Sequence, residues 1–249
     1  MRMADSDATL TPALRRALEL LADPPSKPDA SKGYLDLLGT GSAEDAALPE
    51  KTGASQTMWA SPVVAMIYDS IQALVRKLFA ALLPSVESLK IPQGGTVLDV
   101  GCGPASVTAL LAGAVGPSGL VLGVDRSEAM LARAVRAESG PQIGFLHADA
   151  QRLPLRDRTV DAVVSLAVLH LVPDPVTALA EMARVLRPGG RLTVMVPTAG
   201  GPARVWRRLS NGGPHVFDED ELGDVLEDQG FASVRTKNFG PIQWVRGRR

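Results

Sequence analysis

At 249 residues, with 45% hydrophobic and 21% charged side chains, the chain has the makeup of a globular protein: one large domain, or one domain with an appended cap. A formal net charge of −1 provides no global attraction to nucleic acid or an anionic membrane, and the basic ending Val245–Arg249 is expected to be a solvated tail. The single cysteine, Cys102, excludes an intramolecular disulfide and a cysteine-built metal site, and no metal is expected.

The opening "MRMADSDATL" has neither the basic start nor the apolar run of a secretory signal, so a cytoplasmic location is expected. Thr11-Pro12 is a helix-start signal, a capping threonine followed by proline in the first turn, and predicts a helix to about Leu21. Pro24-Pro25 and Pro28 break it, and residues 1–55 are expected to be a loosely organised extension. Ser61-Pro62 repeats the start signal. Apolar residues at helical spacing, among them Val63, Met66, Ile67 and Ile71, continue to Pro84 and predict a helical lid or cap over 56–94.

Beyond Gly95 the pattern alternates strand and helix. "TVLDV", "LVLGVD", "IGFLHAD", "VDAVVSLAVL" and "RLTVMV" are short apolar runs, separated by helices over 104–114, from Ser127 to about Ser139, and from Asp174-Pro175 to near Leu186. Pro188-Gly189-Gly190 is a turn signal. Asp218 with Glu221 resembles a capping box, Gly230 stops that helix, and "FASVRTKNF" with "IQWVRG" forms a closing pair. The uncharged stretch Ala105–Val124 is long enough for a membrane span, but Gly116-Pro117-Ser118-Gly119 divides it, so no membrane insertion is expected. The class is α/β: a doubly wound, mostly parallel sheet with helices on both faces.

The stretch "VLDVGCGPAS" carries the chemistry. Gly101 and Gly103 follow the first apolar strand, where a doubly wound sheet binds its ligand. A dinucleotide fingerprint needs a glycine where Ser106 stands, and Asp99 just before the loop would repel a pyrophosphate. A carboxylate there suits a cationic ligand. Asp125 ends the second strand and can accept from ribose hydroxyls; Asp149 follows the third and can accept from a purine amino group.

Val97–Ala112, "VLGVDRSEAML", "FLHADAQRLPL", "VDAVVSLAVLHLVPDP" and "EMARVLRPGGRLTV" together resemble the ordered motifs of class I S-adenosylmethionine-dependent methyltransferases. Within that class they resemble the methyltransferase type 11 branch of quinone-biosynthesis and small-molecule enzymes. The likeness is strong over 95–197, moderate over 215–246 and weak before residue 60. It implies a seven-stranded Rossmann-like sheet over 95–249 and S-adenosylmethionine as cofactor. By position it implies that Asp99, Gly101 and Gly103 surround the methionine portion, Asp125 binds the ribose, and Asp149 with the backbone of Ala150 the adenine, with Cys102 and Arg126 also at the cofactor. Met130 and Leu153 line the adenine slot or are plain core, and Ser165 lies near the methionine amino group. The family's commoner pattern has glycine where Ala105 stands, and alanine is expected to be a tolerated change at a helix start.

Methyl transfer from a sulfonium needs alignment and exclusion of water, with a base only where the acceptor requires one. The candidates are His170 after the fourth strand, His215 before the last capped helix, and Tyr68 on the lid; for each, a packing role is the favoured reading. His147, on a strand, is expected to be structural. The sequence Ser165-Leu166-Ala167-Val168 disfavours methylation of adenine or glutamine amides, whose enzymes carry Asp/Asn-Pro-Pro-aromatic there. One cysteine is too few for arsenite chemistry. The expected acceptor is therefore a small, partly apolar molecule methylated on oxygen, carbon or a simple amine, with no nucleic-acid partner. The alternatives are a methyltransferase acting on protein or RNA, a non-catalytic binding module, and a nicotinamide oxidoreductase. The sequence leaves the oligomeric state open.

Overall fold

Runs of aliphatic residues with no polar alternation can only be strands covered on both faces. The computed structural model describes residues 10–38, 89–138, 140–198, 215, 217–240 and 242–249. It builds from these runs an eight-stranded sheet. In chain order the elements are α1 (Pro12–Leu20), β1 (Leu35–Asp36), β2 (Thr96–Val100), α2 (Ser106–Val115), β3 (Leu120–Asp125), α3 (Glu128–Ala137) and β4 (Ile143–His147). There follow β5 (Val160–Leu166), a single 3-10 turn (Leu169–Leu171), α4 (Pro175–Val185), β6 (Leu186–Pro197), α5 (Glu221–Asp228), β7 (Ala232–Phe239) and β8 (Ile242–Arg248).

The strand order is β1-β4-β3-β2-β5-β6-β8-β7. β1 to β6 are mutually parallel, while β8 runs antiparallel to both β6 and β7. From β2 the chain winds outward through β3 and β4, then returns to the other side of β2 as β5. The reversal opens a crevice beyond the carboxyl ends of β2, β3 and β5. Every residue of β2 is buried, and the sheet is lined by one large aliphatic core against α1 and α4 and a second against α2.

The helix starts follow their sequence signals. The Thr11 hydroxyl accepts from the Leu14 N–H at 3.2 Å, the Ser127 hydroxyl from Met130 N–H at 3.4 Å, and Asp174 Oδ1 from Thr177 N–H at 3.0 Å. Glu221 turns back to accept the Asp218 N–H at 2.9 Å. Gly230, with φ +82°, ends α5.

The sheet has one strand more than the seven implied by resemblance, because Leu35–Asp36 pairs in parallel with Leu146–His147. A two-residue strand has no period for a sequence reading to detect. The expected turn at Pro188–Gly190 lies inside β6: Val160 pairs with Leu186 and Ala162 with Arg191, so the intervening residues form a bulge. α1 lies on the sheet, with Ala13, Leu14 and Ala17 buried. Burying Leu14 is worth about 2 kcal/mol. A Cβ on Gly144 would come within 3.3 Å of Leu14, so that glycine is where helix and strand approach most closely. Among the described residues, no helix is long and apolar enough to cross a membrane. The lid segment as far as residue 88, with Tyr68, lies outside the described residues.

Candidate functional site

The loop leaving β2 is tied to β3 by its backbone. The N–H groups of Gly101 and Cys102 both donate to the Val124 carbonyl, at 2.7 and 3.0 Å. Gly103 N–H donates to Asp125 Oδ2 at 2.9 Å. Gly101 and Gly103 have φ of +74° and +53°. A side chain on Gly101 would collide with Val168, so this glycine also lets the loop after β5 close onto the loop after β2.

Ala105 departs from its expected role. It stands just ahead of α2 with φ +71° and ψ 15°, a left-handed conformation that costs an alanine about 1–2 kcal/mol and a glycine nothing. Alanine is thus not a helix-favouring change here. Its Cβ is buried with Tyr34, Cys102, Leu131, Ala134 and Phe145, a contact that offsets part of the strain.

Side-chain alternation places the acids. Asp99 shares the face of Val97, which packs on the α2 side, and Asp125 shares that face with Val121. Asp99 is 2% exposed, and the Thr108 hydroxyl of α2 donates to its Oδ2 at 2.7 Å. Burial pushes the Asp99 carboxyl up to about 7, against the lowering effect of Thr108, and the neighbouring Asp125 raises it further. Asp125 is also raised by burial, opposed by the N–H groups of Ser127 (2.8 Å to Oδ1) and Gly103. Two acids held side by side without a cation are electrostatically costly. A positive ligand would relieve that cost.

Asp149, expected at the adenine, and Arg126, expected at the cofactor, are joined to each other at 3.0 Å, and Gln151 N–H donates to Asp149 Oδ1 at 2.9 Å. Ala150 is half-buried beside them, and Met130 is half-buried in the first turn of α3. Leu153 is core. The Cys102 side chain belongs to the small core cluster around Phe145, where burial pushes its thiol well up and leaves it unreactive. Ser165 is fully buried with its hydroxyl unpartnered, but it shares the face of Val163, opposite that of Asp99. It meets the crevice by its place at the end of β5, not by pointing toward Asp99.

The structure brings the two candidate histidines together. His170 lies on the 3-10 turn after β5, its Nδ1 buried and unpartnered, its pKa lowered by burial. Its carbonyl accepts the His215 N–H at 2.8 Å. His215 Nε2 meets Glu221 Oε1 at 2.9 Å, and its ring packs edge-on to Phe217 at 4.4 Å between centroids. Because a carboxylate only accepts, the Glu221 contact calls for a donor at Nε2 and orients the ring.

Sequence reasoning missed Thr108, Glu221 and Asp36. Thr108 left a signal: a hydroxyl on the buried stripe of α2 with Leu111, Ala112 and Val115 needs a polar partner in the sheet. Asp36 left none.

The site suits a ligand with a cationic end and hydroxyl and amino donors: a buried acid beside a glycine loop, a second acid at the next strand end, and a third beyond it. Comparison with known proteins gives the same class. Residues 98–194 match the methyltransferase domain family. The chain is 41% identical over 112 residues to a demethylmenaquinone methyltransferase of Bacillus licheniformis, covering 45% of this chain and 48% of that one. It is 43% identical over 113 residues to an uncharacterized 37.1 kDa transposon protein of Streptomyces fradiae, covering 45% and 33%. The chain therefore spans a third to about half the length of these relatives. A solved S-adenosylmethionine-dependent methyltransferase of Aquifex aeolicus superposes with a TM-score of 0.56 at 27% identity, over 66% of this chain and 87% of that one.

The fold is that of class I S-adenosylmethionine-dependent methyltransferases, and residues 98–194 resemble their catalytic domain. The resemblance is to the type 11 branch, whose members use S-adenosylmethionine as cofactor.

Proposed function

We propose that the protein transfers a methyl group from S-adenosylmethionine to a small, partly apolar acceptor. The observation that carries this reading is Asp99: a buried carboxylate, raised to about 7 by burial and steadied by Thr108, stands where a cationic ligand would restore its charge. When bound, the cofactor supplies an activated methyl group on a sulfonium, which leaves alignment and water exclusion to the protein. Asp99 and the loop Gly101–Gly103 hold the methionine end. Asp125 accepts from the ribose hydroxyls, since each carboxylate oxygen has a lone pair beyond its backbone partner. Asp149 turns from Arg126 toward the adenine amino group, with Ala150 and Met130 lining the slot.

On the acceptor side His170 is the first candidate base. Burial keeps it neutral at pH 7, and its unpartnered Nδ1 can take a proton. His215, oriented by Glu221, is the second, and Tyr68 the third. The likeness to a demethylmenaquinone methyltransferase supports a partly apolar acceptor, methylated on oxygen, carbon or a simple amine. A cytoplasmic setting fits a chain with a single free thiol. Incubating the protein with methyl-labelled S-adenosylmethionine and fractionated small-molecule extract is the test. Label should enter an organic-soluble product; label found only in protein or RNA would replace the small-molecule reading.

A further inference from the structure

A second constellation lies across the edge of the sheet and joins Asp36, outside the residues matched by the methyltransferase family, to His147 and Asp125 within them. Asp36 of β1, His147 of β4 and Asp125 of β3 occupy one register row and one face: Asp36 pairs with His147, and His147 with Asp125. His147 is 8% exposed. Its Nδ1 lies 2.9 Å from Asp36 Oδ1 and its Nε2 lies 3.0 Å from the Arg126 carbonyl oxygen. Both ring nitrogens are thus engaged, one by the Asp36 carboxylate and the other by the Arg126 carbonyl. The electrostatic influence of His147 lowers the Asp125 carboxyl against the effect of burial.

The Arg126 carbonyl and the Ser127 N–H belong to one peptide plane. His147 holds the oxygen side, and Asp125 Oδ1 accepts from the nitrogen side at 2.8 Å. A rotation of that plane would move the Asp125 carboxylate with it. The remaining groups around the ring complete a balanced set. Lys32 Nζ sits 3.1 Å from Glu128 and 4.0 Å from Asp36, and Tyr34 packs edge-on to His147 at 5.9 Å. The Lys32 ammonium thus lies between the Asp36 and Glu128 carboxylates.

We infer that Asp36 is a positioning residue for the cofactor's ribose: through His147 and the 126–127 peptide it sets the orientation of the Asp125 carboxylate. The N-terminal segment thereby becomes part of the cofactor site without touching the cofactor. This inference rests on the proposed role of Asp125.

The test is calorimetry with two ligands, S-adenosylhomocysteine and its analogue lacking both ribose hydroxyls, on Asp36→Ala, Asp36→Asn and His147→Gln. Asp36→Ala should weaken S-adenosylhomocysteine about five- to tenfold, the scale of coupling between neighbouring hydrogen bonds, and leave the analogue unchanged. Asp36→Asn, which restores an acceptor, should recover most of the loss. His147→Gln keeps a donor for the Arg126 carbonyl, and adding Asp36→Ala to it should cost little more. Hydrogen exchange at the Ser127 amide should quicken in ligand-free Asp36→Ala. Equal weakening of both ligands, or unchanged binding with unchanged exchange, overturns the inference. Failure of the unmutated protein to bind S-adenosylhomocysteine would instead sink the proposed function, and the exchange result would still decide whether Asp36 holds the turn.

Discussion

The two flanks of the crevice are built by opposite means. On the β2–β3 flank, acids sit at successive strand ends: Asp99 is buried against Thr108, and Asp125 is braced by two backbone N–H groups. On the β5–β6 flank, the chemistry comes from segments distant in the chain that meet through a single backbone bond, His215 to His170, and one carboxylate contact, Glu221 to His215. The first flank is fixed by register and stores electrostatic cost until a cation arrives. The second places neutral, basic nitrogen in a less enclosed setting. In the proposed function the first flank holds the cofactor and the second acts on the acceptor, and variants should separate the two as well.

The largest effect is expected on the acceptor flank. Replacing whichever of His170 or His215 acts as base by alanine should lower kcat about 10²–10⁴-fold, with S-adenosylhomocysteine affinity nearly unchanged. Equal loss of affinity in calorimetry would put that histidine on the cofactor flank and erase the division.

Next comes Asp125→Ala, which removes the ribose acceptor and releases the N–H groups of Gly103 and Ser127 together. Affinity for S-adenosylhomocysteine should fall about 100-fold, from hydrogen bonds to a charged acceptor worth about 1.5–3 kcal/mol. Unchanged affinity would remove Asp125 from the ribose role.

Asp99→Asn sharpens the electrostatic half of the comparison, because affinity and stability should move in opposite directions. The folded-state carboxyl titrates at about 7 and its ordinary value is 3.8, so the folded state binds the extra proton between them. Stability of the ligand-free protein therefore falls as pH rises from about 4 to about 7, by up to about 4 kcal/mol, and the asparagine variant lacks that slope. Cofactor affinity should rise over the same interval in the unmutated protein, since a cationic ligand favours the ionised acid. Thermal melts in which both proteins respond alike to pH would show that Asp99 does not carry the cost.

The smallest effect tests the loop that joins the flanks. Ala105→Gly should raise stability by about 1 kcal/mol, relief of the left-handed strain exceeding the lost Cβ contact and the added freedom of the unfolded chain. A lower melting temperature would mean that packing in the Phe145 cluster dominates.

How far the site could be read from the chain follows from the range of each interaction. Asp99, Asp125 and Asp149 announce themselves because a strand end is a local feature, and an acid there has few other reasons to be present. Thr108 is nine residues from its partner Asp99 and is legible only as a polar residue on a buried helical stripe. The backbone angle of Ala105 is hidden because alanine gives no sign of a positive φ. The pairing of His170 with His215, and that of Asp36 with His147 across 111 positions, depend on how distant segments stack and leave no periodicity behind.

The amino-acid sequence by itself determined the alternation of strands and helices, the switch-point loop and the acids at or just beyond the strand ends, because period and strand ends are local. Only the tertiary structure decided which polar groups meet. It added β1 to the sheet edge, turned Ser165 away from Asp99, joined Arg126 to Asp149, and set His147 between the N-terminal segment and the Arg126–Ser127 peptide. Those outcomes depend on register and on packing between distant segments, where a shift of one residue sends a side chain to the other face of the sheet.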